Sequence, residues 1–165
     1  MISNSLVVEK GVSAGDAWIT IAPGSVHEAL AALKDEGYRL LVFLTAVDHL
    51  QDHSRPEWPA RFAVVYQLRN ADTKEQLRVR AFVDGESGNP PRIDSVHDLF
   101  PPANWDERET FDMFGIEFAG HPDLTRILMP DDWVGHPLRR DYPVGGDPVD
   151  FSSDYESWQT APEDA

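Results

Sequence analysis

The sequence predicts an α+β protein: a mixed sheet with helices on one face, then an extended proline-rich C-terminal segment. Three observations carry this. Strand-like runs flank one amphipathic helical stripe near the N-terminus. Two alternating runs beyond it are joined by a turn. Ten of the 13 prolines lie at or beyond Pro90, where regular structure should give way to turns.

Residues 17–22 (Ala-Trp-Ile-Thr-Ile-Ala) alternate as a strand does. Pro23-Gly24 then turns the chain, and Ser25 with Glu28 three residues on forms a capping box. Val26, Ala29, Leu30 and Leu33 make a helical stripe, and Gly37 suits its left-handed stop. Residues 38–47 form a nearly continuous apolar run, which predicts a buried central strand. Residues 48–59 read as a polar loop, 61–68 as a third strand and 75–84 as a fourth. These last two form a hairpin across the turn 70–74, with Arg78 and Arg80 on its solvated face. Ser95 caps a short helix ending at Phe100, and a second helix spans about 103–114, stopped by Gly115. Strand, helix, three strands and helix in that order suit a ferredoxin-like arrangement. The chain divides into an α/β unit over residues 1–115, an extended docking segment over 116–143 and an acidic tail over 144–165.

At 165 residues the chain suits one domain with a real core. It has no apolar run of membrane-spanning length and no basic-then-apolar N-terminal signal, so a cytoplasmic location is the simplest expectation. It contains no cysteine, which excludes disulfides, iron–sulfur ligation by this chain and thiol catalysis. A net charge of −15 argues against nucleic acid and against direct binding to anionic lipid. The tail carries six acidic residues and no Lys or Arg, the pattern of a solubilising end. Its Phe151, Tyr155 and Trp158 instead favour an arm laid along a partner.

Residues 105–143 are the most distinctive part. Trp105, Phe111, Met113 and Phe114 give the second helix apolar groups on several sides, so its charges must pair or hydrogen-bond. Asp106, Glu107 and Glu109 suit the helix dipole, and Arg108 and Asp112, four apart, can pair on one face. Partners for some of these charges are expected outside the chain. Two Gly-His-Pro triplets, at His121 and His136, read as rigid turns whose imidazoles bond backbone or carboxylate. With Asp123, Asp131 and Asp132 they make only a weak metal pattern, and the loop with His49 and His53 makes another. His27 and His97 read as surface residues. No phosphate loop, dinucleotide fingerprint or nucleophile elbow is present, so no catalytic residue is expected.

The run Glu107-Arg108-Glu109, then Asp112-Met113-Phe114-Gly115-Ile116, Gly120-His121-Pro122-Asp123-Leu124, Arg126-Ile127-Leu128 and Gly135-His136-Pro137-Leu138-Arg139 closely resembles the signature of the 30 kDa subunit family of respiratory complex I. That complex is the proton-translocating NADH:quinone oxidoreductase. Weaker resemblance extends to residues 44–48 and 62–66. Arg140 stands where Lys is often expected.

The resemblance implies a structural subunit, without cofactor or catalytic residues of its own, in the peripheral arm on the cytoplasmic side of a bacterial membrane. The complex would use NADH, FMN, iron–sulfur clusters and quinone. Its partners would be other peripheral-arm subunits of complex I, especially the large quinone-site subunit and the small iron–sulfur subunit. Membrane association would come only through the complex. The chain ending soon after the motif implies a separate subunit, unfused to its large neighbour. The expected interface comprises Trp105, Glu107, Arg108, Glu109, Asp112, Phe114, His121, Arg126, His136, Arg139, Arg140 and Asp141. Two alternatives stand beside this: the equivalent subunit of a membrane-bound hydrogenase or related dehydrogenase, and a stand-alone metal-dependent hydrolase using His121 and His136.

Overall fold

A mixed five-stranded sheet forms the body of the protein. The computed structural model describes residues 6–13, 15–50, 58–85 and 89–143. Strands β1 (Val7–Ser13), β2 (Asp16–Ile21), β3 (Leu40–Asp48), β4 (Phe62–Arg69) and β5 (Gln76–Val83) lie in the order β1-β2-β5-β4-β3. Only β2 and β5 pair in parallel; the other neighbours are antiparallel. β3 therefore runs parallel to β2 with two strands between them, and helix α1 (Val26–Asp35) carries the crossover from one to the other.

Period-2 alternation decides which side of the sheet is core. Ile19, Ile21, Leu44, Phe62, Val64, Tyr66, Leu68, Val79 and Ala81 all face a single apolar cluster. The same cluster takes in Val26, Ala29, Leu30 and Leu33 of α1 and Met113 and Phe114 of helix α2 (Ala103–Phe114). Both helices thus lie on one face, as the sequence predicts. A small parallel pair, β6 (Arg92–Asp94) and β7 (Glu117–Ala119), adds Ile93 and Phe118.

Several elements differ from expectation. β1, before Ala17, has no clean alternation and is added by pairing with β2. The apolar run ending at Val47 is an edge strand and not a central one: Leu40, Val42, Phe43 and Val47 stay exposed, and β4 holds the buried interior position. β3 is apolar on both faces, and among the described residues one of those faces is left largely open. The capping box at Ser25 does not form. A short 3-10 turn over Pro23–Ser25 feeds α1, with the Ser25 N–H donating to Ala22 O, so backbone replaces the side-chain cap. Gly37 does stop α1, at φ +101, with the Tyr38 N–H closing back to Leu33 O. No helix forms at Ser95, because its hydroxyl is recruited by Glu107 and the following residues close a turn on Val96 O. Gly115 ends α2 at φ +69, as expected. His53 and the acidic tail over 144–165 lie outside the described residues.

Candidate functional site

Helix α2 is the post around which residues 121–142 are wound. Asp112, with no solvent-exposed area, is the main anchor. Its Oδ1 accepts from Arg126 Nη1 at 2.5 Å, and its Oδ2 accepts the N–H groups of Ile127, Leu128 and Met129 at 3.1, 2.8 and 2.9 Å. Burial raises the affinity of this carboxyl for a proton. The three amides and the guanidinium outweigh that and hold its pKa below the usual carboxylate value. Arg126 also donates to the carbonyls of Trp133 and Gly135, so one side chain fixes both ends of the turn 127–135.

Other side chains tie the segment to backbone carbonyls of α2. His136 Nδ1 donates to Asp112 O at 2.9 Å, Arg139 Nε to Phe114 O at 2.5 Å, and the Leu138 N–H to Met113 O. At the other end His121 Nε2 donates to Asn104 O at 3.1 Å while its Nδ1 accepts from the Asp123 N–H. That pair of bonds requires the neutral imidazole, and burial lowers the His121 pKa in agreement. Burial lowers the His136 pKa also, with Arg139 and Arg126 adding to it. Gly120 and Gly135 take φ of +85 and +89, so both Gly-His-Pro triplets are rigid turns as read from the sequence.

Arg108 does not pair with Asp112. It reaches across to the carbonyls of Thr125 and Arg126 and lies 5.4 Å from the Trp105 ring centroid. Helix spacing permits the i,i+4 pair, but the Asp112 carboxylate is buried under the incoming segment, where Arg126 takes it.

A second anchor joins the segment to the sheet. Asp48, at the end of β3, accepts from Arg61 Nε at 3.0 Å and Nη2 at 2.8 Å, and from the Leu50 and Arg140 N–H groups at 2.9 Å each. The same Arg61 bonds Asp141 at 2.6 and 3.0 Å. These carboxylates raise the Arg61 pKa. Arg140 adds a bond to Leu50 O. Asp48 and Arg61 are absent from the sequence-derived set, since they lie 13 residues apart, with Arg140 lying 92 residues beyond Asp48 and Asp141 80 beyond Arg61.

Glu107 is the exception to this pattern of charge pairing. It is wholly buried, takes the Ser95 hydroxyl and the Val96 N–H at 2.7 Å, and meets no cation among the described residues. Phe114 is buried in the core, while Glu109 is exposed.

The polar side chains of the predicted set other than Glu109 are therefore satisfied within the chain. Beside exposed polar groups such as Glu109, Asp123, Asp131 and Asp132, the segment leaves large apolar side chains open to solvent: Trp105 is 58% exposed, Leu128 59%, Val134 86% and Leu138 54%. His121 and His136 do not converge. Their carbonyl partners are eight residues apart along α2, about 12 Å. Among the described residues no three His, Cys, Asp or Glu side chains gather as a metal site. No helix among them is long and apolar enough to cross a membrane.

The family model described as "Respiratory-chain NADH dehydrogenase, 30 Kd subunit" matches residues 19–148. The chain is 42% identical over 143 residues to the C subunit of the NADH-quinone oxidoreductase of Salinispora tropica, covering 85% of this chain and 55% of that protein. It is 45% identical over 134 residues to the corresponding protein of Citrifermentans bemidjiense, covering 80% and 77%. The chain thus spans about half the length of the Salinispora relatives. Among solved structures, a trypsin-resistant fragment of Nqo5 matches with a TM-score of 0.63 and 33% identity, over 70% of this chain and 89% of the other. A chain of the membrane-bound sulfane sulfur reductase, at TM-score 0.68 and 20% identity over 95% of this chain and 86% of the other, shares the fold. With the family model covering most of its length and the signature charges holding the segment it predicts, the chain belongs to the 30 kDa subunit family of the respiratory-chain NADH dehydrogenase.

Proposed function

We propose that this chain is a docking subunit of a bacterial NADH:quinone oxidoreductase, without catalytic residues of its own, and that residues 105–143 present the interface. The observation that carries this is the division of labour within the segment. Its buried charges are spent on fixing its own path, while Trp105, Leu128, Val134 and Leu138 project large apolar surface into solvent. Apolar side chains displayed on an internally braced backbone suit a surface that a second protein covers, with little ordering cost on binding.

The partners in this reading are the large quinone-site subunit and the small iron–sulfur subunit, on the cytoplasmic side of the membrane. NADH, FMN, iron–sulfur clusters and quinone are handled by other chains of the complex. Arg108 is a poor probe of this role, because it also braces residues 125 and 126. Leu128→Glu and Trp105→Glu are better, since both side chains are mostly exposed. Each should lower the amount of complex recovered through a tag on this chain while leaving the melting temperature of the isolated chain unchanged. Full assembly with lost electron transfer would overturn the docking role.

A further inference from the structure

The buried Glu107 carboxyl leads outward to an imidazole. Its Oε2 accepts the hydrogen of Ser95 Oγ. That Oγ lies 3.0 Å from His97 Nδ1 and also accepts the His97 N–H at 3.3 Å. The His97 ring is partly exposed and stands 5.7 Å, centroid to centroid, from that of His121. On the inner side is Tyr66 of β4, fully buried, whose hydroxyl has no hydrogen-bond partner among the described residues. A carboxyl, a hydroxyl and an imidazole in series, with one end dry and the other wet, is a wire along which a proton can travel.

We propose that Glu107, Ser95 and His97 form a proton-exchange site, in which Glu107 stores one proton and His97 exchanges it with water. In the loading step His97 is the imidazolium. Its Nδ1–H passes to Ser95 Oγ as the Ser95 O–H passes to Glu107 Oε2. One N–H and one O–H bond break and two O–H bonds form. The imidazole and the carboxyl both end neutral, and the hydrogen bonds reverse direction, so that Glu107 donates to Ser95 and Ser95 to His97 Nδ1. The imidazolium arises beforehand, when neutral His97 with its hydrogen on Nδ1 takes a solvent proton at Nε2, and release of the stored proton runs through the same steps in reverse.

The surroundings favour storage. Burial pushes the Glu107 pKa up to about 7, opposed by the Ser95 and Val96 bonds and helped by the charges of Asp98 and Asp106. The groups facing the site come from several elements. Tyr66 faces it from β4, with its own pKa raised by burial and then by Glu107 and Asp94. Asp98, paired with His27 of α1, follows His97 in the chain, and Asp106 precedes Glu107 on α2. His121 stands after β7, with Arg108 and Asp123 acting on it. Among the described residues no Lys or Arg bonds the carboxyl, so no cation pins it as the anion.

The test is infrared spectroscopy on the full chain, with glutamate carrying 13C in its side-chain carboxyl so that its signal stands apart from aspartate. A protonated-carboxyl band should grow as the pH falls through neutral, and Glu107→Gln should abolish it. After a rapid pH drop the band should rise more slowly in His97→Asn, which can keep the bond to Ser95 without titrating, by on the order of tenfold or more. Ser95→Ala should slow it likewise. Absence of a neutral-range band that depends on Glu107 would overturn the site, and wild-type kinetics in both His97→Asn and Ser95→Ala would overturn the relay.

Discussion

Replacing Asp112 by Asn tests the main anchor with the least change of shape. The amide oxygen can still accept from the N–H groups of Ile127, Leu128 and Met129, but the amide NH2 then points a donor at Arg126 Nη1. The ion pair is lost with one partner fully buried and the other 16% exposed. Breaking a buried pair costs about 3–5 kcal/mol. Arg126 keeps its carbonyl partners at Trp133 and Gly135 and some contact with water, which favours the lower end. About 3 kcal/mol over a urea dependence of about 2 kcal/mol per molar shifts the unfolding midpoint down by about 1.5 M. Urea titration of the isolated chain at neutral pH, followed by near-UV circular dichroism, reads this directly. Limited proteolysis should show faster cleavage within residues 123–135. A midpoint within about 0.3 M of wild type would refute the claim that this carboxylate holds the segment. The pH dependence supplies a second check. The folded-state pKa of Asp112 is below the unfolded one, so its contribution is fully present above the unfolded value, near 3.8, and is lost as the pH falls through the folded value. Asp112→Asn should therefore lose less stability than wild type on acidification below about pH 4.

Three further outcomes are expected. Arg61→Gln leaves Asp48 buried with only its two N–H partners and frees Asp141, costing about 2–3 kcal/mol in urea unfolding and exposing residues 136–143 to protease. Gly115→Ala places a Cβ 2.4 Å from His136 Nε2 and 2.5 Å from Arg139 Nη2 at a φ of +69. It should cost about 1–3 kcal/mol and shift the His136 ring resonances in NMR spectra. Glu107 gives the opposite pH signature to Asp112. Its folded pKa of about 7 lies above the unfolded 4.5, so its stabilisation is present below 4.5 and is lost as the pH rises through 7. Urea unfolding across that window should show wild type losing on the order of 3 kcal/mol relative to Glu107→Gln, and parallel curves would refute the assignment.

What was legible in the sequence was what local spacing controls. The stripe Val26, Ala29, Leu30 and Leu33 names the buried face of α1 because a helix presents i, i+3 and i+4 together. The alternation of Leu77, Val79 and Ala81 names the core side of β5 for the same kind of reason. Gly37 and Gly115 mark helix ends because left-handed backbone is cheap only for glycine. Two properties were not legible. Whether β3 is central or at an edge depends on how strands are ordered, and an apolar run is compatible with both. Which cation meets which anion depends on chain segments that folding brings together. Asp112 has Arg108 at helical spacing, yet it binds Arg126, 14 residues away. Asp48 waits for Arg140, 92 residues on. The bulged stretch of β3 shows the same limit, since the Leu44 N–H is taken by Asp106 of α2, a contact no local pattern announces.

The internal pairing of these charges changes what the signature segment means. Dense charge among aromatics reads at first as polar chemistry offered to a partner. In the fold, Asp112, Arg126, Arg139 and Asp48 each bond this chain's own backbone, so a carbonyl or amide that an irregular segment would leave unsatisfied finds a charged partner. A segment with little regular structure can then hold one path over α2 and the sheet edge. Specificity for a neighbour would come from where that path places Trp105, Leu128, Val134 and Leu138, and substitutions in the two classes should separate experimentally. Changes to the charges should destabilise the isolated chain first and assembly in consequence, whereas changes to the four apolar groups should weaken assembly alone.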